Sequence, residues 1–226
     1  MRYLIGVTTC HIPKYRPKVQ AQRETWVRDA EGIIDVRFLY GRVPLEKGPV
    51  LLELATDSVI LACGDGYLER PGKIKGVCQW ALDHDYDWVF KTDDDVYIDI
   101  STLMRVAPAH VGDYFGRPVE FKDRVTKKVT VRFASGFGYW LSRRAMQVIA
   151  DAPDFTGLED RWVAEQLLAA GITLTADSER YLACYPGIEP PAVWRLPATR
   201  QGAAFCEFHP AKMHEMHACN TARRVR

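Results

Sequence analysis

Short apolar runs alternate with segments of helical periodicity through the first half of the chain, and this alternation narrows the choice of folds. The apolar runs predict strands over residues 4–8, 36–40, 59–63 and 87–91, and the periodic segments predict helices over 19–29 and 71–82. Strands separated by helices of this length form βαβ units. The sequence therefore predicts an α/β fold with a mostly parallel central sheet flanked by helices.

The second half continues the same domain with a different pattern. Residues 125–131 and 136–141 are predicted strands, Ser142 is a predicted N-cap for a helix to about residue 150, and a helix over 159–170 should stop at Gly171. After Tyr185 the chain is rich in proline and isolated aromatics, which is typical of covering segments. Without a linker or an internal repeat, residues 1–226 are expected to form one domain.

Composition excludes several classes of protein. The 226 residues carry 30 Lys and Arg against 29 Asp and Glu, a balance that argues against a nucleic-acid-binding protein. No apolar stretch approaches the ~18 residues of a membrane span, and the N-terminal apolar run is too short for a signal peptide. The six cysteines are scattered and form no C-x-x-C pair. We therefore expect no membrane span and a cytoplasmic location.

The acidic triplet Asp93-Asp94-Asp95 follows the fourth predicted strand directly. Adjacent carboxylates repel one another and form strands poorly, so a compensating cation is expected beside them. Carboxylate oxygens suit Mn²⁺ or Mg²⁺, and such ions bridge the oxygens of a diphosphate. Ligands of open α/β sheets bind at the carboxyl ends of the strands, where this triplet lies. Metal binding is favoured over a solvated acidic turn.

Asp93-x-Asp95 is also similar to the nucleophile motif of haloacid-dehalogenase-like phosphatases. Those enzymes carry the motif after their first strand, near the N-terminus, whereas here it follows the fourth. A phosphatase is therefore the less favoured alternative.

Several segments together resemble the β1,3-glycosyltransferases, the galactosyltransferase and Fringe group. Each segment is a weak signal by itself, whereas their common order and spacing from about residue 3 to residue 177 is specific. The matching segments are the R-x-T-W helix at Arg23–Trp26, Asp65-Gly-Tyr67 with Lys73 and Trp80, the K-x-DDD-V-Y strand from Lys91, Ser135-Gly-Phe-Gly-Tyr139, and Glu159-Asp160.

The resemblance implies a GT-A fold and an inverting, Mn²⁺-dependent (or Mg²⁺-dependent) transfer of a sugar from a nucleotide donor, usually UDP-linked, to a glycan or other acceptor. It implies a nucleotide-binding half over 1–100 and an acceptor-binding half with the C-terminal tail over 101–226. It also implies Asp95 and a C-terminal histidine, best matched by His209, as metal ligands, and Asp160 as the base. The residues expected to bind the nucleotide sugar are Thr8, Thr9, Arg23, Asp65, Lys73, Asp93, Asp94, Ser135, Gly136, Gly138 and Glu159.

Four of these residues have an alternative that the sequence leaves open. Thr8 and Thr9 could be plain strand-end hydroxyls, and Arg23 could pair with a buried carboxylate such as Asp65 instead of a diphosphate. Lys73 could be a solvated lysine. A cation near the first turn of a helix opposes the helix dipole, however, and this favours a site-lining role.

The glycines of the Ser135 segment are expected to let a sugar approach the backbone closely. At the level of function, a catalytically inactive binding module of the same fold remains the alternative to a transferase.

Overall fold

The computed structural model describes residues 1–42, 55–105, 107, 112–122, 125–126, 128–176, 181–182, 204–205 and 208–224. Two sheets run through this part of the chain. The strands are β1 (Tyr3–Thr8), β2 (Asp35–Arg42), β3 (Ser58–Gly64), β4 (Trp88–Asp93), β5 (Tyr97–Ile98), β6 (Tyr114–Lys122), β7 (Val129–Ser142), β8 (Leu174–Ala176), β9 (Tyr181–Leu182) and β10 (Ala204–Phe205).

The central sheet has seven strands in the order β3-β2-β1-β4-β7-β6-β8. β1 pairs in parallel with β2 and β4, and β2 with β3, whereas β7 is antiparallel to both of its neighbours. The predicted mostly parallel sheet is confirmed. The smaller sheet has the order β5-β10-β9 and joins the C-terminal part of the chain to the residues that follow β4.

Helices cover both faces of the central sheet, because successive side chains of a strand point to opposite faces and both are apolar here. Ile5 packs in one core cluster with Trp26, and Leu4 packs in the other with Ile74. The helices are α1 (Arg16–Glu24), α2 (Trp26–Ala30), α3 (Arg70–Asp83), α4 (Ile100–Arg105), α5 (Arg143–Asp151), α6 (Glu159–Ala169) and α7 (Pro210–Arg224). Within the described residues, no helix is both long and apolar enough to cross a membrane.

Three elements differ from prediction. The helix predicted over 19–29 is interrupted at Thr25, where the backbone leaves helical geometry and the hydroxyl donates a hydrogen bond to the Ala21 carbonyl at 2.6 Å. The strand predicted over 125–131 begins only at Val129 and continues to Ser142, paired with an unpredicted β6. The tail, expected only to supply covering segments, contains the unpredicted helix α7.

Candidate functional site

A cleft of about 280 Å³ opens where β1, β3 and β4 end. The chain order of the strands reverses between β1 and β4, and such a point is where open α/β sheets bind ligands. The cleft is lined by Thr8, Thr9, Cys10, Ile12, Tyr15, Lys18, Asp65, Gly66, Tyr67, Arg70, Lys73, Asp93, Asp94 and Asp95.

Each carboxylate of the acidic triplet has a different partner. The Thr8 hydroxyl donates to Asp93, and the Thr9 hydroxyl donates to Asp94 at 2.8 Å. The Lys18 ammonium lies 3.2 Å from an oxygen of Asp95 and 3.9 Å from one of Asp94. The strand-end threonines therefore orient the triplet, as well as lining the cleft.

Burial raises the pKa of Asp94 to about 7, and the neighbouring charges of Asp93 and Asp95 add to this rise. The Thr9 hydrogen bond and Lys18 oppose it without cancelling it. Among the described residues, the ion-pair partners of the three carboxylates are Lys18 and Lys91, and Lys91 is shared with Glu159, an arrangement that favours binding of a further cation.

The completely buried Lys91 connects the triplet to α6. Its ammonium lies 2.8 Å from Asp93 and 3.1 Å from Glu159, and it also donates to the Gly136 carbonyl. Burial alone would lower the pKa of Lys91, but these two carboxylates outweigh it and the pKa is raised. Lys91 thus remains charged and holds β4, β7 and α6 together.

Lys91→Met should lower the free energy of unfolding by about 3–5 kcal/mol, because it leaves Glu159 buried without a counter-ion. Urea denaturation measures the change. Lys75→Met is the matched control: Lys75 pairs with Asp154, whose side chain is 94% exposed, so its loss should change stability by about 0.5 kcal/mol or less. Equal stabilities of the two variants would contradict this account of Lys91.

Asp65 and Lys73 are bound to each other at the wall of the cleft. Asp65 accepts hydrogen bonds from the backbone N–H groups of His11 and Gly41, at 2.7 and 2.8 Å. The Lys73 ammonium donates to Asp65 at 2.7 Å and to the Thr9 carbonyl at 2.6 Å. These contacts tie the loops after β1 and β3 to the end of β2, so both residues shape this wall of the cleft from within the protein.

Arg23 lies outside the cleft. Its guanidinium makes a two-pronged ion pair with Asp57, at 2.9 and 2.7 Å, and lies over the ring of Phe38. The partner is therefore Asp57, and neither Asp65 nor a ligand of the cleft is within its reach. The reason is the direction of α1, which turns this part of its surface toward β2 and the residues before β3.

The two glycines of the Ser135 segment have different surroundings. Gly138 is buried, and a Cβ atom there would lie 2.6 Å from the ring of Phe90, so core packing accounts for it and the expected sugar approach does not. Gly136 is partly exposed, and a Cβ would lie 3.5 Å from a carboxylate oxygen of Asp160. Ser135 is partly exposed beside it.

The first turn of α6 places its two carboxylates differently. Glu159 is buried, accepts a short hydrogen bond from the Tyr139 hydroxyl and pairs with Lys91, so it supports the site from beneath. Burial raises the pKa of Glu159, and the charge of Lys91 opposes that rise. Asp160 is partly exposed, with one oxygen accepting from the Arg161 N–H at 2.9 Å and the other next to Gly136. Of the two, Asp160 has an oxygen placed to take up a proton.

The tail brings the backbone of Phe208, the residue before His209, to Asp95. The Phe208 N–H donates to the Asp95 carbonyl at 2.9 Å, so the exposed His209 follows a residue bonded to the metal-binding candidate. His214 instead pairs with Glu24, and His217 lies between Asp29 and Tyr97. Among the described residues, no three His, Cys, Asp or Glu side chains converge closely enough to form a complete metal site.

Sequence reasoning missed the roles of three cations around the cleft: Lys18, Arg70 and Lys91. The helical spacing of Lys18 gave no sign that its side chain reaches the triplet. Lys91, in contrast, lay inside the matched motif, and a lysine within a buried strand could have indicated a buried ion pair.

A larger cavity of about 550 Å³ lies beside β3 and α3, away from the triplet, and is mainly apolar. It contains none of the predicted site residues.

No protein-family model matches the chain, and no curated protein matches it. Among solved structures, it is similar to a glycosyltransferase involved in the glycosylation of the major capsid of PBCV-1 (TM-score 0.55, 11% identity, 97% of this chain and 100% of that one). It is also similar to the galactosyltransferase LgtC in complex with donor and acceptor sugar analogues (TM-score 0.50, 12% identity, 97% and 96%). A third is the bifunctional IspDF of Campylobacter jejuni (TM-score 0.50, 9% identity, 79% and 50%).

Identities this low show the fold alone. The chain has the GT-A fold of nucleotide-diphospho-sugar transferases, formed as a single α/β domain. That part of the expectation is confirmed.

Proposed function

We propose that this protein is an inverting, divalent-cation-dependent glycosyltransferase that moves a sugar from a nucleotide-sugar donor, UDP-linked by preference, to a hydroxyl of a glycan or other acceptor. The observation that carries the proposal is the acidic triplet at the carboxyl end of β4, facing a cleft at the switch point of a GT-A sheet. Two of the similar structures are glycosyltransferases by description, which supports the same class of reaction.

Mn²⁺ or Mg²⁺ fits the chemistry of this cleft. Asp94 and Asp95 share one cation, the ammonium of Lys18, so the two carboxylates outnumber the cation that pairs with them. Mg²⁺ is commonly held by one or two carboxylates together with substrate phosphates, so a complete protein cage is not required. A bound cation would offset the charge that develops on the diphosphate leaving group.

The residues divide into a donor side and an acceptor side. Asp95 is the proposed metal ligand with His209 beside it, and Asp93, fixed by Lys91 and Thr8, faces the nucleotide diphosphate. Asp160 is the proposed base that removes the acceptor proton. In-line attack inverts the anomeric carbon and needs no covalent intermediate, so one base is sufficient.

A panel of nucleotide sugars, incubated with and without Mn²⁺, tests the proposal through release of the nucleoside diphosphate and the anomeric configuration of the product. Mn²⁺-dependent release with inversion is expected. Donor binding without any turnover would instead identify an inactive binding module. Phosphate release from a monoester with Mg²⁺ would identify a phosphatase.

Lys18→Gln should raise the affinity for Mn²⁺ by about two- to five-fold, because the ammonium and the metal ion compete for Asp95. That factor corresponds to ~0.4–1 kcal/mol, which lies within the range of a partly exposed ion pair. Titration calorimetry with Mn²⁺ measures it. Lys14→Gln is the control. Both Lys14 and Lys18 lie over the Tyr15 ring, but Lys14 is exposed and lines no part of the cleft. Unchanged or weaker Mn²⁺ binding in Lys18→Gln would refute the competition.

His209→Ala should weaken Mn²⁺–UDP binding more than His214→Ala does. His209 is next to the residue bonded to Asp95, whereas His214 is paired with Glu24 on α1. The shift in unfolding temperature on adding Mn²⁺ and UDP compares the two variants. An equal response would remove His209 from the ligand set.

A further inference from the structure

Arg70 differs from the lysines around the cleft because its side chain has no hydrogen-bond partner among the described residues. Lys18 is paired with Asp95, Lys73 with Asp65, and Lys91 with Asp93. Arg70 lines the same cleft, yet its buried Nε atom has no hydrogen-bond partner, and the described part of the chain offers its guanidinium no ion-pair partner within 4.0 Å. A guanidinium carries five N–H donors in a planar fork.

The position of Arg70 is fixed by an aromatic ring. Its Cζ atom lies 3.9 Å from the centre of the Tyr67 ring, and both side chains line the cleft. Stacking of this kind holds the guanidinium plane while leaving its edge free to donate. Arg70 is also the first residue of α3, where a cation opposes the helix dipole, so helix stability gives no reason for an arginine here.

The surrounding charges keep Arg70 protonated. Burial alone would lower the pKa of Arg70, but Asp93, Glu159 and Asp160 outweigh burial and raise it. Arg70 thus lies in the field of both Asp93 on the donor side and Asp160 on the acceptor side. An anionic group bound between these two sides would meet a charged, oriented and unoccupied fork.

We propose that Arg70 binds the diphosphate of the nucleotide-sugar donor and so provides a cation for the leaving group that does not depend on the metal ion. The inference rests on the proposed function. Paired phosphate oxygens match the geometry of a guanidinium fork better than any other anion that the proposed reaction brings to the cleft. The cleft would then neutralise the diphosphate from two directions, with the acidic triplet and its metal ion on one side and Arg70 on the other.

Titration calorimetry in EDTA tests the proposal, with inorganic pyrophosphate and UDP as the probes. The wild-type protein should bind both without metal. Arg70→Gln should weaken both by about ten- to hundred-fold, the factor expected for a charged hydrogen-bonded contact. Arg70→Lys keeps the charge but loses the fork, so its loss should be smaller. Lys75→Gln, which removes a charge from the same helix outside this cleft, should bind as the wild type does.

Wild-type affinity for UDP in Arg70→Gln would overturn the assignment, and so would a wild-type protein that binds neither probe in EDTA. Thermal unfolding of each variant checks that the fold survives, and Arg70→Lys retains a test if Arg70→Gln does not fold. Failure of the proposed function looks different. The wild-type protein would then bind pyrophosphate in EDTA but release no nucleoside diphosphate from any nucleotide sugar with Mn²⁺.

Discussion

Asp160→Asn is expected to lower kcat for sugar transfer by about 10²–10⁴-fold, the usual contribution of a general base. An Asn at this position keeps the shape of the side chain and the hydrogen bond from the Arg161 N–H, but it cannot accept the acceptor proton. The affinity for Mn²⁺ and UDP should stay close to that of the wild type, because Asp160 lies beside Gly136 and not among the residues that line the cleft. Steady-state kinetics together with calorimetry separates the two quantities.

Glu159→Gln provides the contrast for this experiment. Glu159 is buried between Lys91 and Tyr139, so its replacement should lower the free energy of unfolding and should reduce transfer less than Asp160→Asn does. If Asp160→Asn transfers sugar at the wild-type rate, Asp160 serves only as a helix-starting residue and the base lies elsewhere.

Asp95→Asn is expected to remove divalent-metal dependence together with nearly all transfer activity. The amide keeps the volume of the carboxylate but loses the anionic oxygen that faces Lys18, and neutral amide oxygens are weaker ligands for Mn²⁺. The fold should survive, because the backbone hydrogen bond from Phe208 goes to the Asp95 carbonyl and not to its side chain. Calorimetry with Mn²⁺ plus UDP measures the loss of metal affinity.

Asp99→Asn is a matched control on the same stretch of chain, since Asp99 caps the start of α4 through the Thr102 N–H and lines no part of the cleft. It should leave Mn²⁺ affinity unchanged. Unaltered metal affinity in Asp95→Asn would exclude Asp95 as a ligand.

The parallel part of the sheet could be predicted because its central strands β1 and β4 are buried on both faces and therefore contain apolar runs. The β6–β7 hairpin could not, since its outer half is exposed and charged: Arg132 pairs with Glu120 across the two strands, a contact that no local pattern reveals. The break at Thr25 escaped prediction for a similar reason, because the apolar periodicity continues through it and only the packed backbone shows the change.

The position of the triplet could be predicted from the sequence, because residues that directly follow a buried strand lie at the carboxyl edge of the sheet. The partners of the surrounding charges depend on packing between elements that are distant in sequence. Arg23 pairs with Asp57, just before β3, and not with Asp65, and Lys91 meets Glu159 only once α6 docks against β7. Gly138 depends on packing in the same way: Phe90 and Gly138 were both predicted to lie in strands, but the pairing of those strands, which brings the Phe90 ring against Gly138, was not predicted.

The pairing of β10 with β5 has a consequence for how the protein is made. The strands that position the triplet come first in the chain, but the segment beside Asp95 that carries Phe208 and His209 is synthesised only after β6–β9. A nascent chain that has formed β1–β4 therefore has the sheet without that neighbour of the triplet. We expect assembly of the proposed metal-binding end to finish only after synthesis of the C-terminal segment.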